Sequence, residues 1–195
     1  MSRVARRRAL GLLGSAVGAG ALMTLGMAPT PALAILSRDP PPEVAAALPG
    51  VAPRGTGRLN FLGLHVYDAR LWVAAGFDAG AFDRVPLALE LVYARKLSGT
   101  QIAERSLKEM QRVPGIAADQ ATAWLAEMNG AFPDVAANDR ITGVLVPGEA
   151  ARFFLNGNLR REVRDGEFAR RFFGIWLAPQ TSQPRLREAL LGQRT

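Results

Sequence analysis

Residues 57–73, Gly-Arg-Leu-Asn-Phe-Leu-Gly-Leu-His-Val-Tyr-Asp-Ala-Arg-Leu-Trp-Val, constrain this chain more than any other stretch. Aromatic and branched side chains dominate it, as a half-buried pleated surface prefers. It reads as one long strand, or as two short strands joined at Gly63. From Leu64 onward the side chains alternate, with His65, Tyr67, Ala69 and Leu71 on one face and Leu64, Val66, Asp68, Arg70 and Trp72 on the other. Neither face is wholly polar, so the pattern predicts a sheet at least partly covered on both sides. The stretch also holds the sole histidine of the chain, His65, and a polar trio of Arg58, His65 and Tyr67 within apolar surroundings. That trio is the first candidate site.

The flanking sequence predicts what packs on this strand. Leu87–Arg95 is a second, near-continuously apolar strand, joined by a loop too short for a helical crossover and therefore antiparallel. Ser98 with Gln101 three residues on reads as a capping box opening an amphipathic helix over 100–112, which Pro114-Gly115 ends. Asp119 reads as the cap of a second helix that buries Ala121, Trp124, Leu125, Met128 and Phe132. Three short strands follow, 141–146, 152–155 and 159–163, with Asn156-Gly157 as a strong hairpin signal. A helix beginning at Glu167 turns Phe168, Phe172 and Ile175 inward, and Thr181 or Ser182 caps a terminal helix over 184–191. Strands, two helices, strands and terminal helices make an α+β domain.

Bulk properties remove several function classes. Without cysteine the chain has no disulfide, thiolate metal site or cysteine nucleophile, and one histidine excludes a histidine-rich zinc site. The serines Ser98, Ser106 and Ser182 lack a nucleophile-elbow sequence, and Gly55-Thr56-Gly57 lacks the spacing and following helix of a phosphate loop. Arg3, Arg6, Arg7 and Arg8, an apolar run from Ala9 to Met27, and Ala32-Leu33-Ala34 follow the order of a secretory signal, with paired arginines like those of twin-arginine export. A retained N-terminal membrane anchor is the other reading of this run. Residues 1–34 are thus expected to be an export signal to the periplasm, 35–56 a Pro/Gly-rich linker, and 57–195 the domain. Of 24 basic side chains four lie in the signal, which leaves 20 against 17 acidic ones in the remainder. That balance does not mark a nucleic-acid binder, and no second apolar run long enough to span a membrane follows.

The trio admits several chemistries. His65 reads as a structural imidazole, as a polar group lining a ligand pocket, or as an axial ligand to haem, for which one imidazole on an apolar face suffices. Arg58 reads as a surface cation or as a clamp for a carboxylate or enolate oxygen, which its planar fork suits.

Five separated motifs carry a resemblance. Gly57-Arg58, the run from Val66 to Trp72, Leu91-Val92-Tyr93, the run from Glu167 to Leu177, and Leu190-Leu191-Gly192 resemble, in this order, the bacterial chalcone isomerase-like family. The match runs from about residue 55 to 192. It implies a large antiparallel sheet covered on one face by helices, with a ligand cleft between. Plant chalcone isomerases use an arginine near a strand start, which Arg58 matches, and a tyrosine and an asparagine seven residues apart after a Leu-Thr-Gly turn. Here the turn is Leu97-Ser98-Gly99 and those positions are Ile102 and Glu109, while an early-strand threonine appears as Tyr67. Loss of such an oxyanion donor is worth on the order of 3 kcal/mol, so the resemblance implies that flavanone formation is absent. Members of this fold without the full set include fatty-acid binders, and others resemble haem proteins; Arg58 with His65 would serve either, given a bulge at Gly63 to bring them together.

The expectation is therefore an exported protein that binds a small hydrophobic, anionic ligand between sheet and helices, fatty acid first and haem b second. Arg58, His65, Tyr67, Ile102 and Glu109 are its site residues, with His65 as metal ligand only for haem. The enzymatic alternative is a periplasmic isomerase or intramolecular lyase that uses Arg58 as electrostatic stabiliser, and a third reading is an interaction module without ligand.

Overall fold

In the computed structural model, which describes residues 39–193, the aromatic stretch is a hairpin. Strand β1 (Ala52–Phe61) and strand β2 (Leu64–Val73) are joined by Leu62-Gly63. Both turn residues take positive φ, 49° and 77°, the handedness that matches the twist of flanking strands. β3 (Leu87–Tyr93), β4 (Arg140–Val146), β5 (Ala150–Leu155) and β6 (Asn158–Val163) extend the sheet in chain order, each antiparallel to the last. The second two-residue turn is Asn156-Gly157, also at positive φ. A meander of this kind needs only short connections, apart from the helical excursion between β3 and β4.

That excursion supplies α2 (Gly99–Met110) and α3 (Ala118–Ala131), and α4 (Gly166–Leu177) follows β6. All three lie on one face of the sheet. Phe168, Phe173 and Leu177 of α4 are fully buried there against Phe153 and Leu145, and Phe172 meets Phe153 edge-on at 4.9 Å between ring centroids. The terminal helix α5 (Pro184–Leu190) covers β1. A Cβ at Gly55 would stand 2.2 Å from the Ala189 carbonyl oxygen. The Gly-Thr-Gly run that fails as a phosphate loop is thus the seat of the last helix. Among the described residues no helix is long and apolar enough to cross a membrane.

The far face is covered too, and by the segment expected to be a linker. Helix α1 (Pro42–Ala47) packs Val44, with Leu48 beyond it, on Trp72, Ala88 and Val144. Six residues cannot hold a helix by themselves. Here Glu43 is buried, accepts Arg140 Nε and Nη2 at 3.1 Å each, and accepts the Thr142 hydroxyl at 2.9 Å. The folded domain therefore includes Pro42–Ala47, and β1 starts at Ala52, not at residue 57.

Three caps differ from expectation. Ser98 precedes α2 but makes no side-chain cap; the Gly99 amide instead donates to Asp134 Oδ1 at 2.9 Å. Asp119 lies inside the first turn of α3, after Ala117. Thr181 accepts from the Gln183 amide and donates to the Ile175 carbonyl, while α5 itself begins after Gln183 without a side-chain cap. Asp165 caps α4 by accepting from the Phe168 amide at 2.9 Å. Each helix start was within a residue or two of its expected place; what caps it depends on the neighbour across the fold.

Candidate functional site

Between the sheet and the helices lies a cavity of about 350 Å³. Its floor is Leu59 of β1, Val66 and Tyr67 of β2, Leu91 and Tyr93 of β3, and Ile141 of β4; α4 contributes Phe172, Ile175 and Trp176. From α2 come Gln101, Ile102, Arg105, Ser106 and Glu109, spaced so that they form one stripe of the helix. Phe61, Gln101 and Arg105 are exposed and mark the mouth, whereas Tyr67, Tyr93 and Phe132 are buried. The size lies within the usual range for small-molecule pockets, and the lining is mostly apolar with few polar groups.

Those polar groups are specific. Trp176 Nε1 donates to the Tyr67 hydroxyl at 2.9 Å, so the Tyr67 oxygen is already an acceptor and its own proton is left to donate. The hydroxyl of Tyr93 has no hydrogen bond among the described residues, and the two rings meet edge-on at 5.8 Å. Burial raises the pKa of Tyr67 far above its ordinary value, outweighing the Trp176 hydrogen bond, and burial does the same for Tyr93. Both phenols stay neutral donors. Arg105 Nη2 lies 2.6 Å from Glu109 Oε1, with Arg105 half exposed and the Glu109 side chain 9% exposed. The other oxygen, Oε2, is buried without a hydrogen bond and 3.7 Å from Arg112 Nε. Glu109 also lines a second cavity of about 170 Å³, on the Arg112 side. Two guanidinium groups thus face one carboxylate, a local excess of one positive charge.

The trio does not form one site. Leu59 pairs with Tyr67 but Asn60 with His65, so Val66 is an extra residue in β2. This bulge sits at Val66, not at Gly63. It puts Val66 beside Tyr67 in the cavity and turns His65 to the opposite face. There Arg58 Nε and Nη2 donate to the two oxygens of Asp68 at 2.7 and 3.2 Å, and His65 Nε2 lies 3.3 Å from Asp68 Oδ1. Arg58 is 57% exposed and lines neither cavity, nor does His65. The bulge does bring Arg58 and His65 together, around the Asp68 carboxylate and outside the cleft. Tyr67, Ile102 and Glu109 lie in the cavity wall, and the pairing of His65 with Tyr67 on one face is corrected.

Sequence reasoning missed Arg105, Tyr93 and Trp176. Arg105 had a legible signal, since Ile102 and Glu109 were singled out and Arg105 lies between them on the same helical stripe. Among the described residues no group of acidic or histidine side chains could hold a metal ion.

The profile of the chalcone isomerase-like family matches residues 54–192. The chain belongs to the chalcone isomerase-like family. It is also 30% identical over 141 residues to an uncharacterised Haemophilus influenzae protein, which covers 72% of this chain and 68% of that one. Among solved structures, an Arabidopsis thaliana fatty-acid binding protein superposes with a TM-score of 0.57 at 15% identity, covering 73% of this chain and 87% of the other. At that identity the likeness speaks for the fold. The six-stranded antiparallel sheet with helices on one face is the chalcone isomerase-like fold.

Proposed function

We propose that this family member binds a small anionic amphiphile, a fatty acid first, in the cavity between sheet and helices. The single observation that carries the reading is the pairing of an apolar cavity with Arg105, Tyr67 and Tyr93, each of which keeps a donor for a ligand. The Arg105 guanidinium gives one edge to Glu109 and keeps others for a ligand carboxylate. With Arg112 near the same Glu109, an incoming anion neutralises the local excess. Tyr67, polarised by Trp176, donates a further hydrogen bond. The hydrocarbon tail then lies along Val66, Leu91, Ile102, Ile141, Phe172 and Ile175, at about 0.8 kcal/mol per buried methylene. Arg105 takes the clamp role for which Arg58 was the sequence candidate. The fatty-acid binding protein of the same fold supports this ligand class.

Flavanone-forming activity is absent in this reading, because Ile102 and Glu109, which line the cavity, stand at the positions that the resemblance matches to the plant enzymes' tyrosine and asparagine. An isomerase reading that relies on Arg58 loses support, since that side chain is spent on Asp68 outside the cavity. Haem b needs His65 as axial ligand, and His65 does not reach the cavity, so the residues present do not fit that group there. Export to the periplasm rests on the N-terminal pattern of residues 1–34, which lie outside the described residues.

The test is calorimetric titration of the purified chain with laurate and with dodecanol, plus mass spectrometry of extracted lipids and a visible spectrum. Laurate should bind more tightly than dodecanol, and Arg105→Gln should abolish the difference. Equal affinity for both, or laurate binding unaffected by Arg105→Gln but lost in Arg58→Ala, overturns the assignment. A Soret band lost in His65→Ala would replace it with haem. Fractionation of cells expressing the full chain tests export: a purely cytoplasmic, uncleaved product refutes it.

A further inference from the structure

The tip of the β1–β2 hairpin is apolar where a turn is ordinarily polar. Phe61 is 52% exposed, Leu62 85% and Leu64 53%, three large apolar side chains within four residues. Leu62 holds a positive φ of 49° that branched, bulky residues rarely adopt, so neither backbone conformation nor burial accounts for a leucine there. The inner edge of the tip is the cavity wall, since Phe61 lines the mouth with the Arg105 guanidinium 5.8 Å from its ring centroid.

Cations stand around this tip. The Ala94 amide donates to the Val66 carbonyl at 2.9 Å, so Arg95 and Lys96 leave the sheet at the end where the hairpin turns. Both are exposed and neither makes an ion pair among the described residues. Arg58 and Arg105, the nearer cations on β1 and α2, each face a carboxylate already, Asp68 and Glu109. Arg95 and Lys96 are therefore unpaired exposed cations at the same end of the sheet as the exposed apolar wedge.

We propose that the hairpin tip is a docking surface for an anionic lipid bilayer, with Phe61, Leu62 and Leu64 entering the interface and Arg95 and Lys96 meeting the headgroups. Apolar side chains at the acyl boundary together with basic residues at headgroup level is the composition such contacts need. A second copy of this chain would bring Arg95 and Lys96 against like charge, which disfavours self-association through the same patch. Docked this way, the cavity mouth opens onto the membrane surface, and an amphiphile passes between bilayer and cavity along Phe61 without crossing water. The docking stands whether or not the cavity's ligand is a fatty acid; only this transfer step rests on that reading.

The chain has no cysteine, so Leu62→Cys carries a unique polarity-sensitive fluorophore, and Leu159→Cys, exposed on β6 at the opposite sheet edge, is the control. With phosphatidylcholine–phosphatidylglycerol vesicles, the label at 62 should shift blue and be quenched by brominated acyl chains, while the label at 159 should not respond. Arg95→Gln with Lys96→Gln should weaken the titration about 25-fold, roughly fivefold per cation lost. Leu62→Asp should lower vesicle partitioning at least tenfold and leave laurate affinity in solution unchanged, because Leu62 does not line the cavity. Loss of laurate binding with retained docking would refute the ligand reading alone. The proposal is overturned if the label at 62 stays in water, if both labels are quenched alike, or if sedimentation velocity shows that Leu62→Asp dissociates a dimer while vesicles have no effect.

Discussion

Replacing Glu109 by Gln asks what kind of polar group the cavity is built to receive. The carboxylate of Glu109 holds Arg105 Nη2 at 2.6 Å, with its side chain 9% exposed. A ligand carboxylate on another edge of the same guanidinium would sit about 5 Å from it, and two like charges at that distance repel by about 3 kcal/mol at an effective dielectric of 20. Arg105 is half exposed, so solvent and salt reduce that to about 1 kcal/mol. Glutamine keeps the shape and an acceptor for Arg105 while removing the charge. Laurate affinity should therefore rise about fivefold in Glu109→Gln, and dodecanol affinity should stay the same. Calorimetric titration at two salt concentrations reads both, and the laurate gain should shrink at the higher one. If laurate binding weakens, or if a long-chain amine is the ligand that loses affinity, Glu109 is itself the ligand's partner and the anionic reading fails.

Tyr67→Phe should destabilise the chain by about 1–3 kcal/mol in urea unfolding, because Trp176 Nε1 loses its acceptor in a buried place. The double change with Trp176→Phe should recover part of this, and an additive result would argue that the bond contributes nothing. The alkaline limb is set by Tyr67 and Tyr93, whose folded pKa values lie far above the ordinary 10. Their contribution is intact below pH 10 and lost above it as the unfolded state releases protons first, each phenol steepening the fall by about 1.4 kcal/mol per pH unit; Tyr93→Phe should flatten the slope. Glu43→Ala should cost about 1–3 kcal/mol, since the buried Thr142 hydroxyl loses its acceptor and the partly exposed Arg140 its main ion-pair partner. Chemical unfolding should show that loss, with protease cleavage appearing near residues 39–51 before global unfolding.

Much of the sheet could be read in the chain. Alternation groups Tyr67, Ala69 and Leu71 on one face, which is the face that meets the helices, and Asn156-Gly157 marks its hairpin, because both signals depend on neighbours along the chain. The helical stripe through Ile102 and Glu109 is equally local, and it leads to the cavity wall.

What only the tertiary structure decided is which polar groups meet. One unpaired residue, Val66, sends His65 away from Tyr67 and leaves Arg58 with Asp68; a bulge is a relation between two strands, and neither strand's sequence reports it. Helix α1 looks like a linker because six residues have no amphipathic repeat to display, and its partner, Arg140, is 97 positions away. Arg105 becomes a cavity cation only because the sheet turns Tyr67 and Tyr93 toward the same stripe of α2. The sequence by itself determined most of the elements and the family; long-range pairing determined helix α1 and the site.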